Sequence, residues 1–136
     1  MIDETEKYEQ QGHFFYQKGN SLKEQSRDVP YLPGVYYIMP IAKGNIDLVY
    51  ISKSGSINQD GKFVKTSLLD TLNTGRQSSQ KYFENKLMGE IIDWLDIYCF
   101  VTMGKRNNDL PKYVEGILMQ NYFDVHRKLP KWNTCF

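Results

Sequence analysis

The sequence predicts an α+β domain with a small mixed three-stranded sheet that opens with an antiparallel hairpin and is flanked by helices. Three observations lead to this fold class. Two runs rich in β-branched and aromatic residues, 34–39 and 46–53, are joined by a short turn-forming segment, as in a hairpin. A third such run, 97–103, follows two segments with helical periodicity, and a longer helical segment comes after it. Strands and helices interleaved behind an opening hairpin are typical of α+β folds.

Length and composition fit one globular domain. The 136 residues are 40% hydrophobic and 24% charged, with a formal net charge of +1, which excludes a disordered chain or a histone-like polycation. Cys99 and Cys135 lie far apart and form no CxxC pair, so a zinc ribbon or redox motif is excluded. The apolar runs are too short for a membrane span, and the N-terminus lacks signal-peptide features. We therefore expect a cytoplasmic protein without membrane association.

The N-terminal quarter is predicted to precede the main domain. We assign residues 1–29 to an N-terminal tail and a short helix, and residues 30–136 to the domain. Residues 1–12 are acidic and polar, which suggests a loose tail or a short helix. Ser21 followed three residues later by Glu24 is a capping box, and it predicts the start of a short helix.

The hairpin is bounded by strong turn formers. Pro30 and Pro33 end any preceding helix and favour extended backbone. Strand 34–39 and strand 46–53 follow, and residues 53–62 form a polar loop with two glycines.

Three further helices and one strand complete the predicted order. Residues 63–73 have apolar side chains at i, i+4 and i+8, and the next helix is capped by Ser78 or Ser79. Its predicted apolar stripe consists of Tyr82, Phe83, Leu87, Ile91 and Leu95. The last helix starts at residues 110–111 with a proline in its first turn and runs to about His126.

Four short motifs follow one another along the predicted domain. The tripeptide GVY at 34–36 lies in the first strand and YIS at 50–52 in the second. Glu115 lies in the last helix, and LPKWN at 129–133 follows that helix. This ordered set resembles the GIY-YIG nuclease superfamily, which is named after two strands reading GIY and YIG and carries a metal-binding Glu on a later helix. The resemblance covers residues 30–133.

The resemblance implies metal-dependent hydrolysis of DNA phosphodiester bonds. Tyr36 would assist removal of a proton from the attacking water, and Tyr50 would support that step or hold phosphate. Glu115 would hold one Mg²⁺ or Mn²⁺ ion, and Asn133 would brace the site by hydrogen bonding. A hairpin can bring both tyrosine hydroxyls to one face of the sheet. Since an ordinary tyrosine has a pKa of about 10, it needs a nearby cation or metal-bound water to act near neutral pH.

The resemblance also implies an arginine, on the helix after the second strand, that points at the phosphate. The matching stretch LLDTLN at 68–73 places Thr71 at that position. Arg76 follows five residues later, which is about 140° around a helix from the expected face. Arg76 can therefore join the catalytic set only if the chain bends back at Gly75.

Basic residues are more frequent in the second half of the chain and near the predicted site. Such side chains can follow a phosphate backbone. The candidates for nucleic-acid contact are Lys53, Lys65, Lys105, Arg106 and Lys131.

These observations leave three functions open. The first is a metal-dependent endonuclease of the GIY-YIG type. The second is a catalytically impaired module of the same fold that binds nucleic acid or a protein partner without turnover, which is favoured by Thr71 and by Ser52 in place of the motif's last glycine. The third is an unrelated α+β binding protein, in which the hydroxyls of Tyr36 and Tyr50 would lie on opposite faces of the sheet.

Overall fold

The computed structural model describes residues 2–64 and 67–136. The strands are β1 (Gln11–Tyr16), β2 (Gly34–Ala42), β3 (Asn45–Ile46), β4 (Tyr50–Ser54), β5 (Ser56–Ile57), β6 (Phe63–Val64) and β7 (Trp94–Val101). The helices are a 3₁₀ turn (Ile2–Thr5), α1 (Leu22–Gln25), α2 (Leu68–Thr74), α3 (Gln80–Gly89) and α4 (Pro111–His126). No helix among the described residues is long and apolar enough to cross a membrane.

The fold is α+β, as predicted, and the hairpin of β2 and β4 is confirmed. The main sheet has the order β1-β7-β2, with β3 and β4 both paired to the other edge of β2. The expectation of a mixed, three-stranded sheet was wrong, because the described sheet has five strands and all its pairings are antiparallel. The crossover through α2 and α3 makes β7 run in the same direction as β4, but β2 lies between them, so no parallel pair forms.

The N-terminal segment belongs to this sheet. β1 pairs along its whole length with β7, and Gly12 lies opposite Cys99. Tyr8 is buried, and its hydroxyl donates a hydrogen bond to the carboxylate of Asp109 at 2.7 Å. Residues 1–12 are therefore not a loose tail in the part that the structure describes, whereas the short helix capped by Ser21 is confirmed.

Two element boundaries differ from the prediction. The second strand is interrupted at residues 47–49, where the backbone N–H of Val49 still donates to the carbonyl of Ile38 at 3.0 Å. Residues 63–64 pair with β5 instead of starting a helix. The helix α2 begins only after Ser67, because the hydroxyl of Ser67 accepts a hydrogen bond from the N–H of Asp70 and so caps it.

The helix α3 is shorter than its predicted apolar stripe. It is capped by Ser79 and ends at Gly89, so Ile91 and Leu95 lie outside it. Ile91 has a φ of 53° and is 79% exposed, while Leu95 is a buried residue of β7. The helical spacing of apolar residues therefore continued by chance beyond the end of α3 and into β7. The last helix α4 is confirmed, with Pro111 in its first turn.

Helices cover both faces of the sheet. Residues of α1, α2 and α3 pack on one face in a cluster that includes Tyr36, Phe83 and Trp132. Residues of α4 pack on the other face around Tyr37 and Leu118. Cys99 is fully buried and Cys135 is exposed, and both are free thiols.

Candidate active site

The two motif tyrosines lie on the same face of the sheet. In the β2–β4 register, Tyr36 pairs with Ser52 and Ile38 pairs with Tyr50, which makes the tyrosines diagonal neighbours. Their ring centroids are 6.0 Å apart. The expectation that the hairpin brings both tyrosines to one face is confirmed, and the opposite-face arrangement of the third hypothesis is contradicted.

Both tyrosines are withdrawn from solvent. Tyr36 is 1% exposed and Tyr50 is 8% exposed. Burial raises the pKa of Tyr36 far above its ordinary value of 10, Tyr50 raises it further, and the hydroxyls of Ser78 and Ser52 only partly oppose this. Burial also raises the pKa of Tyr50. Near neutral pH both phenols are protonated, so each can donate a hydrogen bond but not act as a preformed phenolate.

Glu115 lies on α4, the helix that covers the sheet face opposite Tyr36 and Tyr50. It follows the buried Val114, so it lies at the edge of the helix face that packs toward β4, and it is half-buried. Burial raises the pKa of Glu115 above its ordinary value of 4.5, whereas the ammonium groups of Lys53 and Lys112 act in the opposite direction. Glu115 raises the pKa of Tyr50 as a minor cause after burial, although α4 covers the face of the sheet opposite Tyr36 and Tyr50. Glu115, Lys53 and Lys112 therefore interact electrostatically on the α4 side of the sheet.

Asn133 is bound to the backbone of the second motif strand. Its Oδ1 accepts from the N–H of Ile51 at 3.0 Å, and its Nδ2 donates to the carbonyl of Ile51 at 2.9 Å. One residue earlier, the N–H of Trp132 donates to the carbonyl of Val49 at 2.8 Å. The C-terminal segment thus follows the open edge of β4. Trp132 itself is buried in the core.

The chain does bend back at Gly75. The helix α2 ends there in extended backbone, and Gly75 forms a β-bridge with Ser78. The residues that follow Arg76 contact the site: Gln77 donates to the carbonyl of Trp132 at 2.8 Å, and Ser78 lies beside Tyr36. The condition set for Arg76 is therefore met by the backbone. Its side chain is exposed, and no ion pair to another described residue holds it.

Thr71 has a packing contact where an arginine was expected. It is half-buried, and its hydroxyl donates to the hydroxyl of Ser54 at 2.9 Å. This contact holds α2 against the end of β4 and leaves no cation at this position.

The other predicted basic residues are distributed over several places. Lys53 acts electrostatically on Glu115, and its ammonium group donates to the carbonyl of Gly55 at 3.1 Å. Arg106 is paired with Glu9 at 2.8 Å, on the turn that also contains the exposed Lys105. Lys131 is paired with Glu90 at 2.8 Å, and Lys65 lies outside the described residues.

Sequence reasoning missed Lys112, Ser52 as a neighbour of Tyr36, and Ser78. Lys112 lies one helical turn before Glu115, a spacing that brings side chains together. Ser52 stands opposite Tyr36 only because the hairpin register shifts by one residue at 47–49, so spacing could have found Lys112 but not Ser52. Ser78 approaches only because the loop folds back, for which the sequence carries no local signal.

The donor set limits the metal chemistry of this site. No group of three or more His, Cys, Asp and Glu residues in the described ranges could hold a metal ion. Glu115 fits a Mg²⁺ ion that takes one protein carboxylate and completes its shell with phosphate oxygens and water. No protein-family model, no curated protein and no solved structure matches the chain.

Proposed function

We propose that this chain is a GIY-YIG-like endonuclease domain that hydrolyses DNA phosphodiester bonds with one Mg²⁺ or Mn²⁺ ion. The proposal is supported by the relation of four residues from distant parts of the chain to the strand β4. Tyr36 and Tyr50 share a sheet face, Glu115 acts electrostatically on Tyr50 from the helix that covers the other face, and Asn133 binds the backbone of Ile51 next to Tyr50. These are the residues that the family resemblance selects.

In this proposal each residue has a separate task. Glu115 would hold the ion, which when bound neutralises phosphate charge and lowers the pKa of coordinated water. Tyr50 would donate a hydrogen bond to the phosphate or to the attacking water. Tyr36 would hold the ring of Tyr50 in position by packing against it. Asn133 would hold the backbone of β4 in place through its hydrogen bonds to Ile51 and would thereby fix the position of Tyr50.

Charge at the proposed site favours a phosphate substrate. Lys53 and Lys112 flank Glu115, so the site has an excess of positive charge before any ion binds. Arg76, on the loop beside Tyr36, would reach the phosphate from the other side. Positioned cations of this kind stabilise the charge that develops during phosphoryl transfer.

A second function is favoured by two specific observations. Thr71 is committed to a contact with Ser54, and Tyr36 is almost fully buried. A domain with these features can retain the fold and the basic site while lacking turnover. It would bind nucleic acid or a protein partner without cleavage.

A plasmid-nicking assay separates the two functions. Purified wild-type protein is incubated with supercoiled plasmid and Mg²⁺ or Mn²⁺, with EDTA as the metal-free control. Nicking that disappears in Glu115→Ala, and persists in the matched surface variant Glu6→Ala, supports the endonuclease. Equal cleavage by wild type and Glu115→Ala contradicts it. Metal-independent, salt-sensitive DNA binding by the wild type without nicking establishes the second function instead.

A further inference from the structure

We propose that a second groove, separate from the candidate active site, binds a nucleotide by stacking its base on Tyr122 and placing its phosphate at Lys128. The groove lies between residues 46–49 on one side and the end of α4 with the following segment on the other. Its volume is about 620 Å³, within the range of small-molecule sites. The proposal does not depend on hydrolysis at Glu115.

One wall of the groove is aromatic. Tyr122 and His126 are stacked, with ring centroids 4.2 Å apart and planes 30° apart. They are four residues apart on α4, so the helix itself holds the pair in place. Tyr122 is half-buried. A fixed, partly accessible ring of this kind can stack on a planar base.

The opposite wall is apolar with one carboxylate. Ile46 is 55% exposed and lines the groove together with Asp47. The carboxylate of Asp47 raises the pKa of Tyr122, after burial as the larger cause, which indicates that the two walls face each other. A carboxylate that lines the same groove as Tyr122 can accept a hydrogen bond from an exocyclic amino group of a base.

Cations border the groove. Lys128 and Lys131 both line it, but Lys131 is paired with Glu90, while Lys128 is exposed and forms no ion pair with another described residue. A second cavity of about 380 Å³ shares Asp47 and Lys131 with the groove and adds Lys43. The ammonium group of Lys128 is therefore the one available to an anion in the main groove.

These features together select a nucleotide. An apolar ligand would leave Asp47 and Lys128 without partners, and inorganic phosphate would not use the stacked rings. A nucleotide with an exocyclic amino group, such as dCMP, satisfies the rings, the ammonium group and the carboxylate at once. We therefore take dCMP as the probe.

The test is a titration of the full chain in metal-free buffer, followed by calorimetry or by amide chemical shifts. The probes are dCMP, deoxycytidine and inorganic phosphate. We expect saturable binding of dCMP, weaker by roughly 5- to 100-fold in Tyr122→Ala, which is the effect of losing one base–aromatic stack. Tyr122→Phe keeps the ring and should bind as the wild type does. Lys128→Glu should weaken binding of dCMP but not of deoxycytidine, and the distant surface variant Lys18→Glu should change neither.

Three results would overturn the proposal. These are no saturable binding of dCMP, unchanged dCMP affinity in Lys128→Glu, and inorganic phosphate binding as tightly as dCMP. Because Lys128 is exposed, Lys128→Glu tests the groove even if Tyr122→Ala fails to fold. Glu115→Ala should retain the wild-type affinity for dCMP, and a loss there would move the binding to the candidate active site. The groove can thus fail while the nuclease proposal stands, and the reverse.

Discussion

The side-chain amide of Asn133 forms two hydrogen bonds with the backbone of Ile51, one to its N–H and one to its carbonyl. This is the bond pattern that a neighbouring strand would supply. Because β4 is at the edge of the sheet, its outer backbone groups would otherwise face water or another chain. One side chain near the C-terminus therefore completes the strand that carries Tyr50.

Removing this amide should loosen β4. We expect Asn133→Ala to lower the free energy of unfolding by about 1–3 kcal/mol, since it leaves two partly buried backbone groups unpaired. Asn133→Asp keeps an acceptor for the N–H of Ile51 but loses the donor to its carbonyl, so it should also destabilise the protein. Urea unfolding measures both.

The matched control for this prediction is Asn58→Ala. Asn58 is exposed, and only its backbone forms hydrogen bonds in the described structure. This variant should change stability by less than about 0.5 kcal/mol. If Asn133→Ala were as stable as Asn58→Ala, the edge of β4 would not depend on the amide.

The carboxylate of Glu90 joins the end of α3 to the C-terminal segment. It accepts from the indole N–H of Trp132 at 3.0 Å and is paired with Lys131 at 2.8 Å and with Lys86 at 3.4 Å. Burial would raise the pKa of Glu90, but Lys131 and Lys86 outweigh it and hold that pKa below its ordinary value of 4.5. The charged form is therefore favoured by folding.

This shift predicts how stability depends on pH. Because the pKa is lower in the folded than in the unfolded chain, the contribution of Glu90 is present above pH 4.5 and is lost as the pH falls through the folded pKa. We expect Glu90→Gln to be about 1 kcal/mol less stable than wild type near pH 7, and the difference to vanish in more acidic solution. Thermal unfolding between pH 3 and pH 7 measures it. Glu6→Gln, at an exposed position, should follow the wild-type curve, and a constant gap for Glu90→Gln would contradict the assignment.

Local signals in the sequence were sufficient for several elements. The capping box at Ser21 and the proline at the start of α4 predict helix starts that the structure has. The hairpin itself follows from two apolar runs and a turn, but a one-residue shift of the register at residues 47–49 is what places Tyr36 and Tyr50 on one face. Each of these features is decided by residues that are close in the chain.

Features that depend on distant partners were not predicted. β1 is a short run whose strand partner in the described part of the chain, β7, lies about eighty residues later, so no local pattern predicts it. The pairing of Asn133 with Ile51 likewise depends on where the C-terminal segment packs. The same limit applies to Arg76, because its position depends on contacts that Gln77 and Ser78 make with other parts of the fold.

Glu115 should destabilise the fold at neutral pH. Burial raises its pKa above 4.5 despite Lys53 and Lys112, so ionising the carboxyl costs more free energy in the folded than in the unfolded chain. The cost is absent below the ordinary pKa and appears as the pH rises through the folded pKa. We expect Glu115→Gln to be more stable than wild type near pH 7, by about 1 kcal/mol, and equal to it near pH 4. A Glu115→Gln variant less stable than wild type at neutral pH would contradict this prediction.

A divalent ion should reverse this difference if Glu115 is its ligand. An ion that binds the folded protein through the ionised carboxylate stabilises it in proportion to the occupancy of the site. We expect Mg²⁺ or Mn²⁺ to raise the melting temperature of wild type but not of Glu115→Gln. Glu6→Gln serves as the control and should respond as wild type. An equal response of Glu115→Gln would place the ion elsewhere.

Arg76 is the predicted replacement for the cation that Thr71 does not supply. The loop from Gly75 to Ser78 brings Ser78 beside Tyr36, and the side chain of Arg76, two residues before Ser78, is exposed and unpaired among the described residues. If the chain cleaves DNA, Arg76→Ala should reduce the single-turnover nicking rate by roughly 10²-fold, as for loss of one group that stabilises the transition state. Arg76→Lys keeps the positive charge but loses the bidentate geometry of the guanidinium. Its nicking rate should therefore lie between those of wild type and Arg76→Ala.

The control is Arg27→Ala, which removes an equally exposed arginine whose neighbour Asp28 lies 4.0 Å away. It should nick at the wild-type rate. DNA binding is measured in parallel at several salt concentrations, because loss of a phosphate contact alone weakens binding without lowering the rate of bound substrate. A nicking rate for Arg76→Ala within twofold of wild type at saturating DNA would remove Arg76 from the catalytic set. Lys53 and Lys112 would then be the remaining cations beside Glu115, and their alanine variants should show the loss instead.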